Sequence, residues 1–183
     1  MTTQSVTQQH ATQLVEKYLT DTKRHCLQVG GVMRWFAKKV GEDEEYRWIV
    51  GILHDIDWDH IAKDPDKHLK DELDQILDEI EAPQQLRDDV RSHGERLTGV
   101  PVDTLLRKYL ASIDELSWFL YAYSLMRPTG FEGMEAKGVL KRIKDKTFAA
   151  GVDREHLRNC EKYLDIPLAE FIPQMIEAMK IVL

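Results

Sequence analysis

Apolar residues in this chain recur with the period of an α-helix over most of its length, and with the two-residue period of a strand almost nowhere. From 26 to 40 they fall at Cys26, Val29, Val32, Met33, Phe36, Ala37 and Val40, a stripe of the width that faces a core. There is no internal repeat and no low-complexity tract, so the predicted fold class is all-α, a compact helical bundle. Pattern and punctuation place helices at 7–19, 22–40, 44–55, 68–81, 83–93, 103–126, 134–145, 153–163 and 167–182. Asp21 or Thr22 can cap the second and Gly41 can end it. Pro83 and Pro167 suit first-turn positions, Asp153 can cap the helix after Gly151, and Pro128-Thr-Gly stops the longest helix. Pro173 either kinks or splits the last one. A chain of 183 residues with 43% hydrophobic content is sized for one domain with a real core.

Several polar residues interrupt the apolar faces. His25 extends the stripe of the second helix. In the run Leu106, Tyr109, Leu110, Ile113, Asp114, Ser117, Leu120, Tyr121, Asp114 takes a place where an apolar residue is expected, and His93 lies one helical step beyond Leu86 and Val90. His54-Asp55 closes the apolar stretch WIVGIL. A carboxylate on a core face is costly unless paired or metal-bound. One such residue alone is ordinarily a hydrogen-bonded core residue. Four metal-type ligands on three separated helices point instead to a bound ion.

His25, His54-Asp55 and Asp114 in this order resemble the H…HD…D signature of the HD-domain superfamily of metal-dependent phosphohydrolases. His68 and His93 fall where the dinuclear branch has two further histidines. DELSWFLYAYSLMRP at 114–128 and KDKTFAAGVDR at 144–154 are similar to a branch known only as predicted HD hydrolases, so the resemblance runs from about residue 20 to the end. It implies one HD-type helical domain over 1–183, with a metal-binding core at about 22–127 and a helical extension at about 128–183. In its two-metal form His25, His54, Asp55 and Asp114 hold one ion, and His68 and His93 hold a second that Asp55 bridges. Many relatives continue the doublet as HD-x-G-K; here it reads HDIDWDH, so positive charge for a phosphate has to come from elsewhere.

Imidazole and carboxylate without thiolate suit one or two divalent transition-metal ions, Mn, Fe, Ni, Co or Zn. The expected reaction is hydrolysis of a phosphoester of a small phosphorylated metabolite, a nucleotide being the subclass that the resemblance implies, with Asp55 at the catalytic centre. Asp59, His60 and Glu95 are candidate proton donors. Arg24, Lys63, Lys67, Arg96 and Arg127 are candidate phosphate contacts, with the basic run 137–146 as a further one, although a charged helix face is ordinarily solvated surface. Trp58, next to the doublet, can stack on a base or lid the core, whereas Trp35, Trp48 and Trp118 at helical spacing read as core. The loop 56–67 is the expected substrate-facing flap, and His10 and His156 read as surface residues. Two other readings share these ligands: a diiron-type HD oxygenase, and a non-catalytic HD module that binds a nucleotide.

A formal net charge of −7 opposes long nucleic acid as a partner and leaves room for a small anion served by local positive charge. Two cysteines make no disulfide framework and no tetrahedral thiolate site. The first residues lack a basic segment leading into an apolar one, and no apolar run approaches the ~20 residues that span a bilayer. A cytoplasmic location without membrane association is therefore expected; the oligomeric state is open, a homodimer included.

Overall fold

The computed structural model describes residues 6–182, and among them there is no strand. In chain order the helices are α1 (Gln8–Tyr18), α2 (Lys23–Val40), α3 (Glu44–Leu53), α4 (Asp71–Asp78), α5 (Gln84–Arg91), α6 (Glu95–Thr98), α7 (Leu105–Leu125), α8 (Ala136–Ile143), α9 (Asn159–Tyr163) and α10 (Leu168–Val182). Side chains satisfy the free N–H groups at several starts. Thr7 and His10 form a reciprocal cap on α1, Asp43 accepts from the Glu45 and Tyr46 amides at α3, and Thr104 accepts from the Arg107 amide at α7. Gly41 ends α2 with φ +74°, the left-handed turn expected of it.

The core forms where α2 meets α3, α7 and α10. Cys26, Val29, Met33 and Phe36 of α2 are buried against Ile49, Val50 and Leu53 of α3, Leu110, Ile113 and Leu120 of α7, and Phe171 and Met175 of α10. Both cysteines are buried and free. A second, polar tie fixes α5: the Asp89 carboxylate accepts from Tyr46 Oη of α3 and from Arg107 Nε of α7, each at 2.7 Å. That tie matters because α5 leads into the turn that carries His93.

Helices α2 and α3 touch through glycines. A Cβ on Gly51 would lie 2.6 Å from Gly30 Cα, so any side chain there has to push two backbones apart. Gly51→Ala is therefore expected to destabilise the protein by about 1–3 kcal/mol, the usual range for overpacking. A shift in the urea midpoint measures it. Because Gly51 O is also the partner of His54, metal affinity is expected to fall in the same variant.

Several elements are shorter than their periodicity predicts. α3 stops at Leu53, leaving the His54-Asp55 doublet in the turns that follow, and α4 begins only at Asp71, leaving His68 before it. The segment expected as one helix at 153–163 is a 3₁₀ turn (His156–Arg158) followed by the short α9, and the four-residue α6 has too few residues to show a period. Pro173 does not split α10. Trp35 and Trp48 pack only partly into the core, under Lys39 and Arg34 respectively. Trp118 departs furthest from its expected core position, remaining 38% exposed. Among the described residues no helix is long and apolar enough to cross a membrane.

Candidate metal centre

Four imidazoles and two carboxylates converge from α2, the turn after α3, the turn before α4, the 3₁₀ turn after α5, and α7. They form two groups. In the first, His25 Nε2 lies 2.9 Å from Asp114 Oδ1, and His54 Nε2 lies 3.2 Å from His25 Nε2 and 3.4 Å from Asp114 Oδ1. In the second, His68 Nε2 and His93 Nε2 are 3.2 Å apart and lie 3.4 and 3.2 Å from Asp55 Oδ1. Asp55 joins the groups, because its other oxygen, Oδ2, faces His54 Nε2 at 3.4 Å and His25 Nε2 at 3.9 Å.

Each ring is turned by a partner on its far side. His54 Nδ1 meets Gly51 O at 2.7 Å and His93 Nδ1 meets Val90 O at 2.6 Å. A carbonyl only accepts, so these nitrogens carry a proton, and Nε2 is the nitrogen left to bind a metal ion. His68 Nδ1 donates to the buried Asp57 carboxylate at 2.9 Å, and Ser117 Oγ stands 3.4 Å from His25 Nδ1. The rings thus present Nε2 inward, an arrangement that wants positive charge between them. Two ligand atoms bound at about 2.1 Å and subtending 90–110° lie roughly 3.0–3.4 Å apart, which is the spacing observed within each group. The donor set fits a pair of divalent ions.

The protons show the same demand. Burial works against charge on His54, yet the carboxylates of Asp55 and Asp114 outweigh it and hold its pKa well above the usual value. Burial likewise opposes ionisation of Asp55 and Asp114, and the charge of His54 reverses it, so both carboxyls titrate well below the usual range. His68 is pushed up to about 9, burial being overcome by hydrogen bonds to Asp55 and Asp57. A divalent ion has to displace such protons, so metal affinity rises with pH.

The second group rests on residues that replace the usual continuation of the doublet. Asp57 stands at the glycine position, and Trp58 at the lysine position, of the HD-x-G-K pattern. Asp57 is fully buried, and it accepts from His68 Nδ1 and, at 2.7 Å, from the Leu69 amide, while Leu69 adopts φ +62°. Trp58 packs edge-on against the His68 ring at 4.8 Å. Arg91 donates to Leu69 O and to Asp74, tying this turn to the end of α5 that carries His93.

Other predicted site residues are placed differently. Asp59 accepts from the Thr22 hydroxyl at 2.7 Å and from the Thr20 and Thr22 amides, so it anchors the segment that enters α2; Thr22 takes the N-cap position there without a side-chain cap bond. Glu95 accepts from the Val102 amide and Tyr163 Oη, and His60 is exposed and edge-on to Tyr18. Asp59 and Glu95 both titrate below their usual range, Asp59 because the Thr22 and Thr20 bonds outweigh its burial, Glu95 because of the Val102 and Tyr163 bonds. Lys63 pairs with Asp21 at 2.8 Å, Lys67 lies near Asp64, Arg96 is exposed, and Arg127 donates to the carbonyls of Gly130 and Glu132. The segment 56–67, expected as a flap, is a run of turns with Ile56, Asp57 and Ile61 buried. Arg24 lines the same cavity as His25, Trp118 and Tyr121.

The Asp59 anchor has a pH signature. Its folded pKa is depressed, so its stabilisation is present above the unfolded value of about 3.9 and is lost as pH falls through the lower folded value. Asp59→Asn is expected to cost about 0.5–1 kcal/mol at pH 7, the loss of a charged acceptor at a partly exposed group, and to flatten the acid limb below pH ~4. Urea midpoints at pH 7 and pH 3 check both.

Glu115, which sequence reasoning passed over, adjoins Asp114; burial first and the Asp114 charge second push it up to about 7, and it accepts from the Asp153 amide at 2.6 Å. No curated protein and no solved structure matches the chain. A family model does: the one described as HD domain matches residues 22–118, the segment from the start of α2 to the middle of α7 that holds all six clustered ligands.

Proposed function

The chain belongs to the HD-domain family, a superfamily of metal-dependent hydrolase type, and from that premise we propose that it hydrolyses a phosphoester of a small phosphorylated metabolite, a nucleotide in particular. The observation that carries this reading is the placement of Asp55, whose two oxygens face two separate sets of Nε2 atoms. Divalent ions in such a pair of sites supply Lewis-acid polarisation of a phosphoryl oxygen and a water of lowered pKa.

The chain's own residues do the positioning. Nδ1 partners fix the four rings, so little reorganisation is needed when charge develops. Arg24 lines a cavity together with His25, and its guanidinium donates to Tyr121 Oη and lies over the Tyr121 ring. It supplies positive charge for a phosphate in a chain that lacks the lysine of the HD-x-G-K pattern. The partner this reading implies is a small phosphorylated anion, not long nucleic acid.

The test is phosphate release from a panel of nucleotides and sugar phosphates by Mn-loaded protein purified without chelator or metal-affinity tag, run without oxygen. Release that needs Mn and disappears in Asp55→Ala supports hydrolysis. Metal-replete protein that releases no phosphate from any member contradicts it, and oxygen uptake by iron-loaded protein would favour an oxygenase.

A further inference from the structure

We infer that the groove where the end of α7 meets α8 is a second ligand site, and that it binds a compact anion carrying two or more phosphate groups. The inference does not rest on the proposed hydrolysis. The groove shares no lining residue with the six clustered ligands or with the cavity beside His25. At about 1.5 Å per residue, roughly 16 Å of α7 separates Asp114 from Leu125, the last residue before the turn that carries Arg127.

Charge identifies the ligand. The groove measures about 340 Å³ and is lined by Arg127, Lys137 and Lys141, by Gly133 and Gly138, and by one acid, Glu135. Lys137, Lys141 and Lys144 follow one another at helical spacing, so they share one side of α8. A solvated helix face ordinarily interleaves the two signs, and like charges four residues apart weaken a helix. Among the described residues none of these three lysines has an ion-pair partner, whereas Arg142 of the same helix pairs with Asp145 at 3.0 Å. This concentration of unmatched positive charge occurs in a chain whose formal net charge is −7.

Arg127 is the fixed member of the set. Its Nε donates to Gly130 O at 2.9 Å and its Nη2 to Glu132 O at 2.8 Å, and the guanidinium lies over the Tyr123 ring. These partners are neutral, so they orient the guanidinium without cancelling its charge, and Nη1 remains unused among the described residues. Gly133, at φ +63°, keeps the approach clear, because a Cβ there would stand 3.8 Å from Arg127 Nη2. The nearby Glu132 carboxylate is taken by Lys180 at 3.1 Å. Three cations thus face one carboxylate. A single carboxylate or chloride leaves most of that charge unmatched, whereas a short phosphate chain supplies several negative oxygens to a guanidinium and two ammonium groups at once. The volume is at the lower end for small-molecule sites, which suits such a chain.

Inorganic tripolyphosphate probes the groove directly. Calorimetric titration of the full chain at low ionic strength is expected to show binding that weakens as salt is added and that raises Tm. The double variant Lys137→Gln, Lys141→Gln is expected to bind about tenfold more weakly or worse. Without ligand it is expected to melt at the native temperature or higher, because repulsion within α8 is removed. Arg24→Gln, altered beside the metal centre, is expected to bind as the native chain does. Adenosine triphosphate distinguishes the source of the phosphates. Affinity equal to that of tripolyphosphate assigns the groove to the phosphate chain alone, and tighter binding that the double variant loses assigns it to a nucleotide. Four results would overturn the inference: the native chain does not bind tripolyphosphate, the double variant binds it as the native chain does, the double variant melts several degrees lower, which would give the lysines to the fold, or Arg24→Gln abolishes binding, which would place the anion at the metal centre.

Discussion

Replacing Asp55 by alanine is expected to empty both metal positions together. Its Oδ1 serves His68 and His93, and its Oδ2 serves His54 and His25, so one substitution withdraws a ligand from each group. The first group keeps three ligand residues, but only Asp114 remains to balance the charge of an ion, and the second keeps two neutral imidazoles. Elemental analysis after equilibration with micromolar Mn is expected to fall from about two ions per chain to near none, with more than about a hundredfold loss of any phosphate release. A different role for Asp55, as a structural partner of His54, would lower stability while leaving metal content intact. Measuring Tm alongside metal separates the two.

His93→Ala is expected to remove one ion and leave the other. His93 lies only in the second group, and its loss leaves His68 and one oxygen of Asp55, too few donors for a tight site. The first group keeps all of its ligands, so one ion per chain remains. Asp57→Asn is the graded form of the same result. An amide has one acceptor oxygen, uncharged, for the two donors that the carboxylate serves, His68 Nδ1 and the Leu69 amide, so the ring is held less firmly and is a poorer donor to the ion, and affinity at the second position is expected to fall about 10–100-fold with little change at the first. Two-step metal titration reads this directly. Equal loss at both positions in either variant would mean that the two groups do not act as separate sites.

The clustered histidines and aspartates are legible because they break a rule. A histidine at 25 and an aspartate at 114 sit where helical periodicity calls for apolar side chains, and only a partner worth their desolvation keeps them there. The residues that hold the ligands break no rule, and for that reason they were hard to see. Asp57 reads as one acid in an acidic loop until His68 and the Leu69 amide are brought to it across 11 and 12 residues. Asp59 reads as a proton donor beside the doublet, but its partners Thr20 and Thr22 lie 39 and 37 residues away in sequence. Helix ends were misread for a related reason. Periodicity continues past Leu53 and begins before Asp71, yet after His54, whose dihedrals are still helical, the bonds run from Ile56 to Leu53 and from Trp58 to Asp55 as turns, and Leu69 at φ +62° breaks any helix begun at His68. Trp118 has helical spacing and a core-type side chain; nothing local announces that a cavity lies beside it.

The number of ions per chain tests the account most directly. Protein purified without chelator, equilibrated with Mn and freed of excess metal, is expected to carry two ions per chain by elemental analysis, and His93→Ala one. A native chain that saturates at one ion, or binds none while remaining folded, would contradict a paired centre bridged by Asp55.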